Sequence, residues 1–503
     1  MDKYGDFMSK DTHAALSRIE WEGFTDKIEI EKIKESRFIP SGGKTIEIWR
    51  GDDYKLNGRI LGECEGLGDL DNMIKEENIA GATMPSLDIY GTDHCDFFSY
   101  KLSHCYIGGI SNHVTGLDSN PKTNFVANLM LYDVEKKQLG NMKSNLLIEW
   151  YLNGPTGSFI FPRATKRQIK EDFIRERFKD EEKSYPGIYR EERTSDFAFI
   201  ELEKRSFIIQ KVPKYFGPKW SNCIGIEYHE EWGGIPDEKE REAISEIIGF
   251  IFGKHLLNVG YTKYADKGYP IEEVAKNPWG ENVVSKCQKP ALFPIDIDNY
   301  QTWGILEKIL NQLIPQYLLL RDDLNLNQAL WSYWVSLDLP IEVNIPILSA
   351  GVETIAKSWF KTNRSKTKGV YLSKKEYDEL LASEFNLIDE KLRKNPYHQR
   401  ILNKLKNAHN MGANERLDFF FLEIDLSIGE IERKAIKGRN LMAHGDIISD
   451  QETEKMIRLT RAYQTLFHRI FLKILGFDSD YIDRSTAGWP NRHIDESMQG
   501  PID

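Results

Sequence analysis

The sequence predicts an α+β multidomain protein, with a β-rich, sandwich-like N-terminal domain followed by an all-α helical bundle. Three observations lead there. The 503 residues exceed the size at which one core usually stops growing. Short runs of β-branched and aromatic residues, broken by Gly, Asn and Pro, dominate the first half. From Tyr300 onward apolar residues recur at helical spacing. The expected division is a β-rich domain at 1–235, a mixed helical connector at 236–299, a helical domain at 300–480 and an irregular tail at 481–503.

Composition narrows the class. An apolar fraction of 40% with 12% aromatics suffices for packed cores and excludes a disordered chain. A formal net charge of -11 means that contact with RNA or DNA needs a local basic patch. Five cysteines, an odd and sparse number, fit a reducing compartment rather than a disulfide scaffold. The start "MDKYGDFMSKDTHAALSRIEWEG" holds no apolar run of signal-peptide length, and "FFFLEI" from Phe419 is too short to span a bilayer. A cytoplasmic protein without a membrane partner is expected.

Taken in order, "GKTIEIWR", "YKLNGRILG", "ATMPSLDIYG", "FFSYKLSHCYIGG" and "SNLLIEWYLNG" read as strands. The charged stretch from Arg163 to Gly187 reads as a surface helix or a linker, because opposite charges recur three and four apart. "DFAFIEL", "SFIIQKVP" and "SNCIGIEYHEEWGG" return to strand character. "PDEKEREAISEIIGFIFGKHLLNVG" reads as one helix ending near Gly260, and 261–300 carries no clear pattern. Helices follow in "TWGILEKILNQLIPQYLLL", with a break or kink at Pro315, then in "NLNQALWSYWVSLDL" and in "NIPILSAGVETIAKSWFK", with Pro346 in an early turn. Further helices are "SKKEYDELLASEFNLIDEKLRK", "PYHQRILNKLKNAHN", a pair divided near Gly429, and a last one from the capping box Ser449–Glu452 to about Leu475.

The chemistry gathers in "IKGRNLMAHGD". Asn440 and His444 are four apart and share a helix face, while Arg439 lies about 140° from His444 and converges with it best if the helix frays at Gly445. These residue types support metal-independent cleavage of an RNA backbone by its ribose 2′-hydroxyl. His444 transfers the proton, Arg439 braces the charged phosphorane, and Asn440 orients the phosphate or the imidazole ring. One histidine supplies one proton-transfer group, so a symmetric dimer pairing two copies of this helix end would complete the set. From Lys391 to His444 eleven Lys and Arg face six Asp and Glu, a positive excess in an acidic chain. Lys404, Lys406 and Lys437 are the candidate RNA-backbone contacts. Glu353, inside an apolar helix, is a candidate to hold Arg439 across the bundle.

"AIKGRNLMAHG" resembles the signature of the HEPN superfamily, whose ribonuclease members carry Arg, four to six residues, then His, often with Asn after the Arg. Here those are Arg439, Asn440 and His444, with four residues between Arg and His. "LSAGVETIAKSWF" and "ERLDFFFLEIDLSI" resemble its Apea-like branch, and "LNGRILGECEG", "LSHCYIGG" and "NLLIEWYLNG" resemble the layout of the N-terminal domain found with it. The resemblance implies an endoribonuclease of antiphage abortive infection, with an HEPN-like catalytic domain at 300–480. Its substrate would be tRNA or other cellular RNA. It further implies a composite site at a homodimer interface, no cofactor, and a β-rich part that senses a phage-derived trigger. The alternatives are a non-catalytic HEPN scaffold that binds RNA or protein, and a carbohydrate- or peptide-binding sandwich with a helical dimerisation module.

Other polar residues read as structural. His409 is expected on the surface or at a helix end, and His468 in a packed or interface position. His94–Cys95 and His104–Cys105 lack zinc-ligand spacing, and strand neighbours point to opposite faces, so no metal site is expected. Cys64, Cys223 and Cys287 read as buried small hydrophobes, and Trp331, Tyr333, Trp334 and Trp359 as core or dimer seam. No phosphate-cradling glycine motif occurs.

Overall fold

The β-rich first half folds as antiparallel sheet and the second half as helices, as the two hydrophobic periodicities require. The computed structural model describes residues 21–24, 26–34, 39, 42–64, 86–115, 122–140, 142–164, 166–169, 173–176, 195–214, 216–265, 269–443 and 450–498. The chain divides into two compact units: 1–237 with 254–291 and 297–311, and 238–253 with 292–296 and 312–503.

In the first unit the strands are β1 (Ile28–Ile30), β2 (Lys32–Ile33), β3 (Gly43–Arg50), β4 (Leu56–Cys64), β5 (Leu87–Thr92), β6 (Phe98–Thr115), β7 (Lys122–Met130), β8 (Asp133–Gln138) and β9 (Leu146–Tyr151). They continue with β10 (Lys166–Ile169), β11 (Phe173–Glu176), β12 (Phe197–Glu201), β13 (Ser206–Lys211), β14 (Ile224–His229), β15 (Asn258–Tyr264) and β16 (Pro270–Lys276). Fourteen of them share one sheet, in the order β1-β3-β4-β7-β6-β8-β16-β15-β9-β14-β13-β12, with β2 and β5 branching from β6. The long β6 belongs to both limbs. Its first half pairs with β5 and β8, and its second half with β7. His104, at φ 51°, marks the change of partner. The limbs share a core that includes Ile46, Ile60, Leu102, Phe125 and Leu129. A second core gathers Trp21, Ile148, Trp150 and Val259 around β9, whose six residues are all buried between β14 and β15.

A buried ion pair ties this unit together. Arg50 donates to both Glu22 oxygens (2.8 and 2.7 Å) and to the carbonyls of Tyr54 (3.1 Å), Lys276 (2.8 Å) and Val259 (2.7 Å). Every guanidinium nitrogen is engaged, which is what a desolvated arginine requires.

Two expectations change here. The helix that was to run to Gly260 stops at Ile251, because Gly253 turns left-handed (φ 61°) and the following "NVGYTKY" pairs with β9 as β15. The patternless 261–300 therefore contains β16, which closes the gap between β15 and β8. The charged stretch read as helix or linker instead forms the β10–β11 hairpin over its described part. Alternating charge three and four apart suits a helix face, but it is equally compatible with cross-strand pairs such as Lys166 opposite Glu176.

The helices are α1 (Glu238–Ile251), α2 (Val283–Gln288), α3 (Ile305–Leu320), α4 (Leu326–Asp338), α5 (Ile341–Lys361), α6 (Lys374–Leu392), α7 (His398–Lys406), α8 (Ala413–Glu423), α9 (Glu430–Ala443) and α10 (Asp450–Ile474). Short α2 belongs to the first unit, α3 crosses the division, and the others build the second. Pro315 lies within a continuous α3, and α5 starts early enough that Pro346 falls in its second turn rather than at its start. Pro tolerates this where the lost N–H bond is outweighed by packing of the apolar face. Ser449 of the expected capping box lies outside the described residues.

The long α10 is the axis of the second unit. Tyr463, Leu466, Phe467, Ile470 and Phe471 are fully buried on it, and Phe467 stacks on Tyr333 of α4 at 4.8 Å with rings parallel. Tyr333 and Trp334 are core residues, while Trp331 is partly exposed. The tail expected to be irregular forms a hairpin, β17 (Asp480–Ile482) with β18 (Asn491–His493). It is held because Arg469 of α10, fully buried, pairs with Glu432 of α9 (2.5 Å) and donates to the carbonyls of Ser427 and Ile494 (both 3.0 Å). Glu432 also accepts from the Met498 and Gly429 amides (2.9 and 3.0 Å). One ion pair thus fixes α9, α10 and the tail.

His468 is packed, not exposed. Its Nε2 meets the Tyr333 hydroxyl at 2.7 Å, and Nδ1 has no hydrogen-bond partner among the described residues. Burial, with a smaller push from Arg484, drives its pKa down to about 3. The unfolded chain takes up a proton near pH 6.5 that the folded one refuses until about pH 3. Stability is therefore lost as pH falls from about 6.5, by ~2 kcal/mol at pH 5 for this residue alone. His468→Gln is expected to shrink the difference in Tm between pH 7.5 and pH 5. An unchanged difference would mean that other groups set the acid sensitivity.

Candidate functional site

The helix α9 explains its own odd composition. Ile431, Ala435 and Gly438 are buried on one side. A Cβ on Gly438 would sit 3.0 Å from Leu459 of α10, so glycine lets the two helices approach closely. The next residue, Arg439, points away from that contact. Its Nη1 forms an ion pair with Glu353 Oε1 on α5, and Nη2 donates to Asn414 Oδ1 at 3.3 Å on the first turn of α8. Three helices therefore meet at one guanidinium, and the expected pair between Glu353 and Arg439 is formed. Arg439 is mostly covered, with 15% of its side chain exposed, whereas Glu353 retains 45%. Tyr463 of α10, buried and with a hydroxyl that lacks a hydrogen-bond partner among the described residues, completes the surroundings. Burial raises its pKa, and the Arg439 charge acts weakly the other way.

Because Glu353 is half-exposed, its pair with Arg439 carries little stability. Glu353→Ala is expected to cost under ~1 kcal/mol in thermal unfolding. A loss several times larger would mark the pair as a structural tie.

Asn440 lies on α9, but its side chain is outside the described residues, as is His444 altogether; α9 ends at Ala443, one residue before it. Lys437 is exposed on α9, and Lys404 and Lys406 are exposed on α7. Among the described residues none of the three bonds to Arg439, Glu353 or Asn414, so the structure assembles only part of the anticipated set. Asn414 and Tyr463 were not legible as site residues. Asn414 sits in an ordinary capping stretch, where Glu415 accepts from the Gly412 N–H at 2.7 Å, and only the packing of α8 brings it to Arg439.

Beside this cluster lies a shallow cleft, partly open to solvent. Glu353, Ala356, Lys357 and Phe360 line it from α5, at the helical spacing that puts them on one face, and Ala413, Arg416 and Leu417 from α8. His409 departs from a surface position, because the chain after α7 folds its ring inward. His409 is buried at the end of α7, with Nδ1 3.2 Å from the Lys406 carbonyl, and His94 pairs with Glu31 at 2.8 Å. Cys105 faces the core and Cys95 is exposed. No group of three His, Cys, Asp or Glu among the described residues is placed to hold a metal, and no described helix is long and apolar enough to cross a membrane.

No family model, no curated protein and no solved structure matches this chain.

Proposed function

We infer that the protein is a metal-independent endoribonuclease that cuts RNA by attack of the ribose 2′-hydroxyl, with Arg439 on the phosphate and His444 transferring the proton. The observation that carries this reading is the setting of Arg439. It is a guanidinium held by two side chains from other helices, beside a cleft open to solvent, near the end of a helix whose next residues are Asn440 and, four further on, His444. Preorganised donors of this kind lower the barrier because they need no rearrangement as charge develops. A second copy of the chain would supply the second proton-transfer group. The resemblance of "AIKGRNLMAHG" to HEPN ribonucleases adds an antiphage role, with cellular RNA such as tRNA as target and the β-rich unit as regulator. The test is incubation of the purified chain with total RNA, followed by mapping of ends; 2′,3′-cyclic phosphate termini are expected, and 5′-phosphate with 3′-hydroxyl ends would exclude attack by the 2′-hydroxyl.

One observation favours a second reading. Arg439 already has a carboxylate partner in Glu353. If that pair persists on binding, the helical unit is a scaffold, and RNA is retained but left whole.

A further inference from the structure

We propose that the cleft between α5 and α8 is a nucleotide subsite, which takes the nucleotide of an RNA strand next to the phosphate at Arg439. The proposal rests on the ribonuclease reading and deepens it.

The cleft combines three features that a nucleotide needs. Its mouth carries two cations. Lys357 and Arg416 are exposed and neither pairs with an acid among the described residues. The acids near them are committed elsewhere. Glu415 is held by Tyr371 and the Gly412 amide, and Glu423 by the Trp359 indole (2.7 Å) and the Thr367 amide and hydroxyl (2.9 and 2.8 Å). Two unneutralised cations on adjoining helices are therefore left facing one cleft, which suits a phosphate. The floor is apolar, made by Ala356, Phe360 and Leu417, and offers a base a surface that excludes water. Glu353 adds a half-exposed carboxylate to the lining. One of its oxygens holds Arg439, and the other has no partner among the described residues. A carboxylate there repels a second phosphate and accepts an N–H, a group that the pairing edge of every nucleobase carries.

Shared elements link the subsite to the candidate centre. Glu353 belongs to both, and Asn414, which touches Arg439, lies in the same turn of α8 as Ala413 and Arg416. The approach along the chain is basic: residues 391–414 contain six Lys and Arg and no Asp or Glu, with Arg400, Lys404 and Lys406 exposed. Four acids do lie near the cleft, at Glu353, Glu415, Asp418 and Glu423, and three of them are bonded as described, while Asp418 pairs with Arg433 at 2.9 Å.

The test uses the full-length chain and three probes: GMP, inorganic phosphate, and a G-containing RNA hexamer made uncleavable by 2′-deoxy substitution. Binding is read by calorimetry for the wild type and for the Lys357→Ala/Arg416→Ala double variant. GMP is expected to bind at least tenfold more tightly than phosphate, the hexamer more tightly than GMP, and the double variant to lose at least tenfold for both. Equal binding of GMP and phosphate, or undiminished binding by the double variant, overturns the subsite. A hexamer that binds no better than GMP overturns its assignment to an RNA strand in favour of a free nucleotide. Because binding is read separately from cleavage, the two proposals fail separately. Loss of GMP binding in the double variant keeps the subsite even where wild type leaves RNA whole. RNA cutting by the double variant with unchanged KM removes the subsite and keeps the nuclease.

Discussion

His444→Ala is expected to lower RNA cleavage by roughly 100- to 10,000-fold, the usual contribution of a positioned acid or base, while the chain stays folded. The folding part of this expectation comes from the described part of α9. Among the described side chains of α9, the buried ones are Ile431, Glu432, Ala435 and Gly438, all N-terminal to the end of the helix at Ala443. Cleavage measured on total RNA should fall while Tm and the far-UV circular dichroism spectrum stay at wild-type values. The pH profile is a second readout. Proton transfer by a histidine makes the wild-type rate depend on pH, and the variant's residual rate should not follow that dependence. Undiminished cutting by the purified variant removes His444 from the chemistry and, with it, the reading of "RNLMAH" as the reactive segment.

Glu432→Ala has the largest expected effect on stability, a loss of about 3–5 kcal/mol, because it leaves the Arg469 charge buried without its counter-ion. Both side chains are fully buried, and Glu432 also accepts from two amides, those of Gly429 and Met498. For a unit of this size the loss corresponds to a fall in Tm of roughly 10 °C. The comparison with Glu353→Ala isolates the cause, since there the same kind of pair is half in water and the expected cost is several times smaller. Replacing both partners, as in Glu432→Leu with Arg469→Met, should recover much of the loss by removing both charges at once. Thermal unfolding that placed Glu432→Ala within 1 kcal/mol of wild type would mean that water reaches Arg469 after the substitution and solvates it.

Part of the site and much of the fold were legible before any contact was known. Ala356, Lys357 and Phe360 stand at helical spacing from Glu353 on one face, so α5 could be read, and an acid inside an apolar helix pointed to a cationic partner such as Arg439. Other elements carried no local signature. The strands β15 and β16 read as helix end and patternless chain, because their pairing is decided by the vacant edges of β9 and β8, more than a hundred residues earlier in sequence. The tail hairpin was likewise invisible, since it depends on Arg469 reaching the Ile494 carbonyl.

By itself, then, the sequence determined the two periodicities, and hence sheet first and helices second, along with the residue types of "GRNLMAH" on which the proposed chemistry rests. Periodicity is a local property, written in which neighbours along the chain share a face. Tertiary structure alone decided which groups meet: Asn414 at Arg439, two cations beside one cleft that pair with no acid among the described residues, and Glu432 on Arg469. Such meetings depend on desolvation and on distances across the fold, and neither is encoded in any short window of residues.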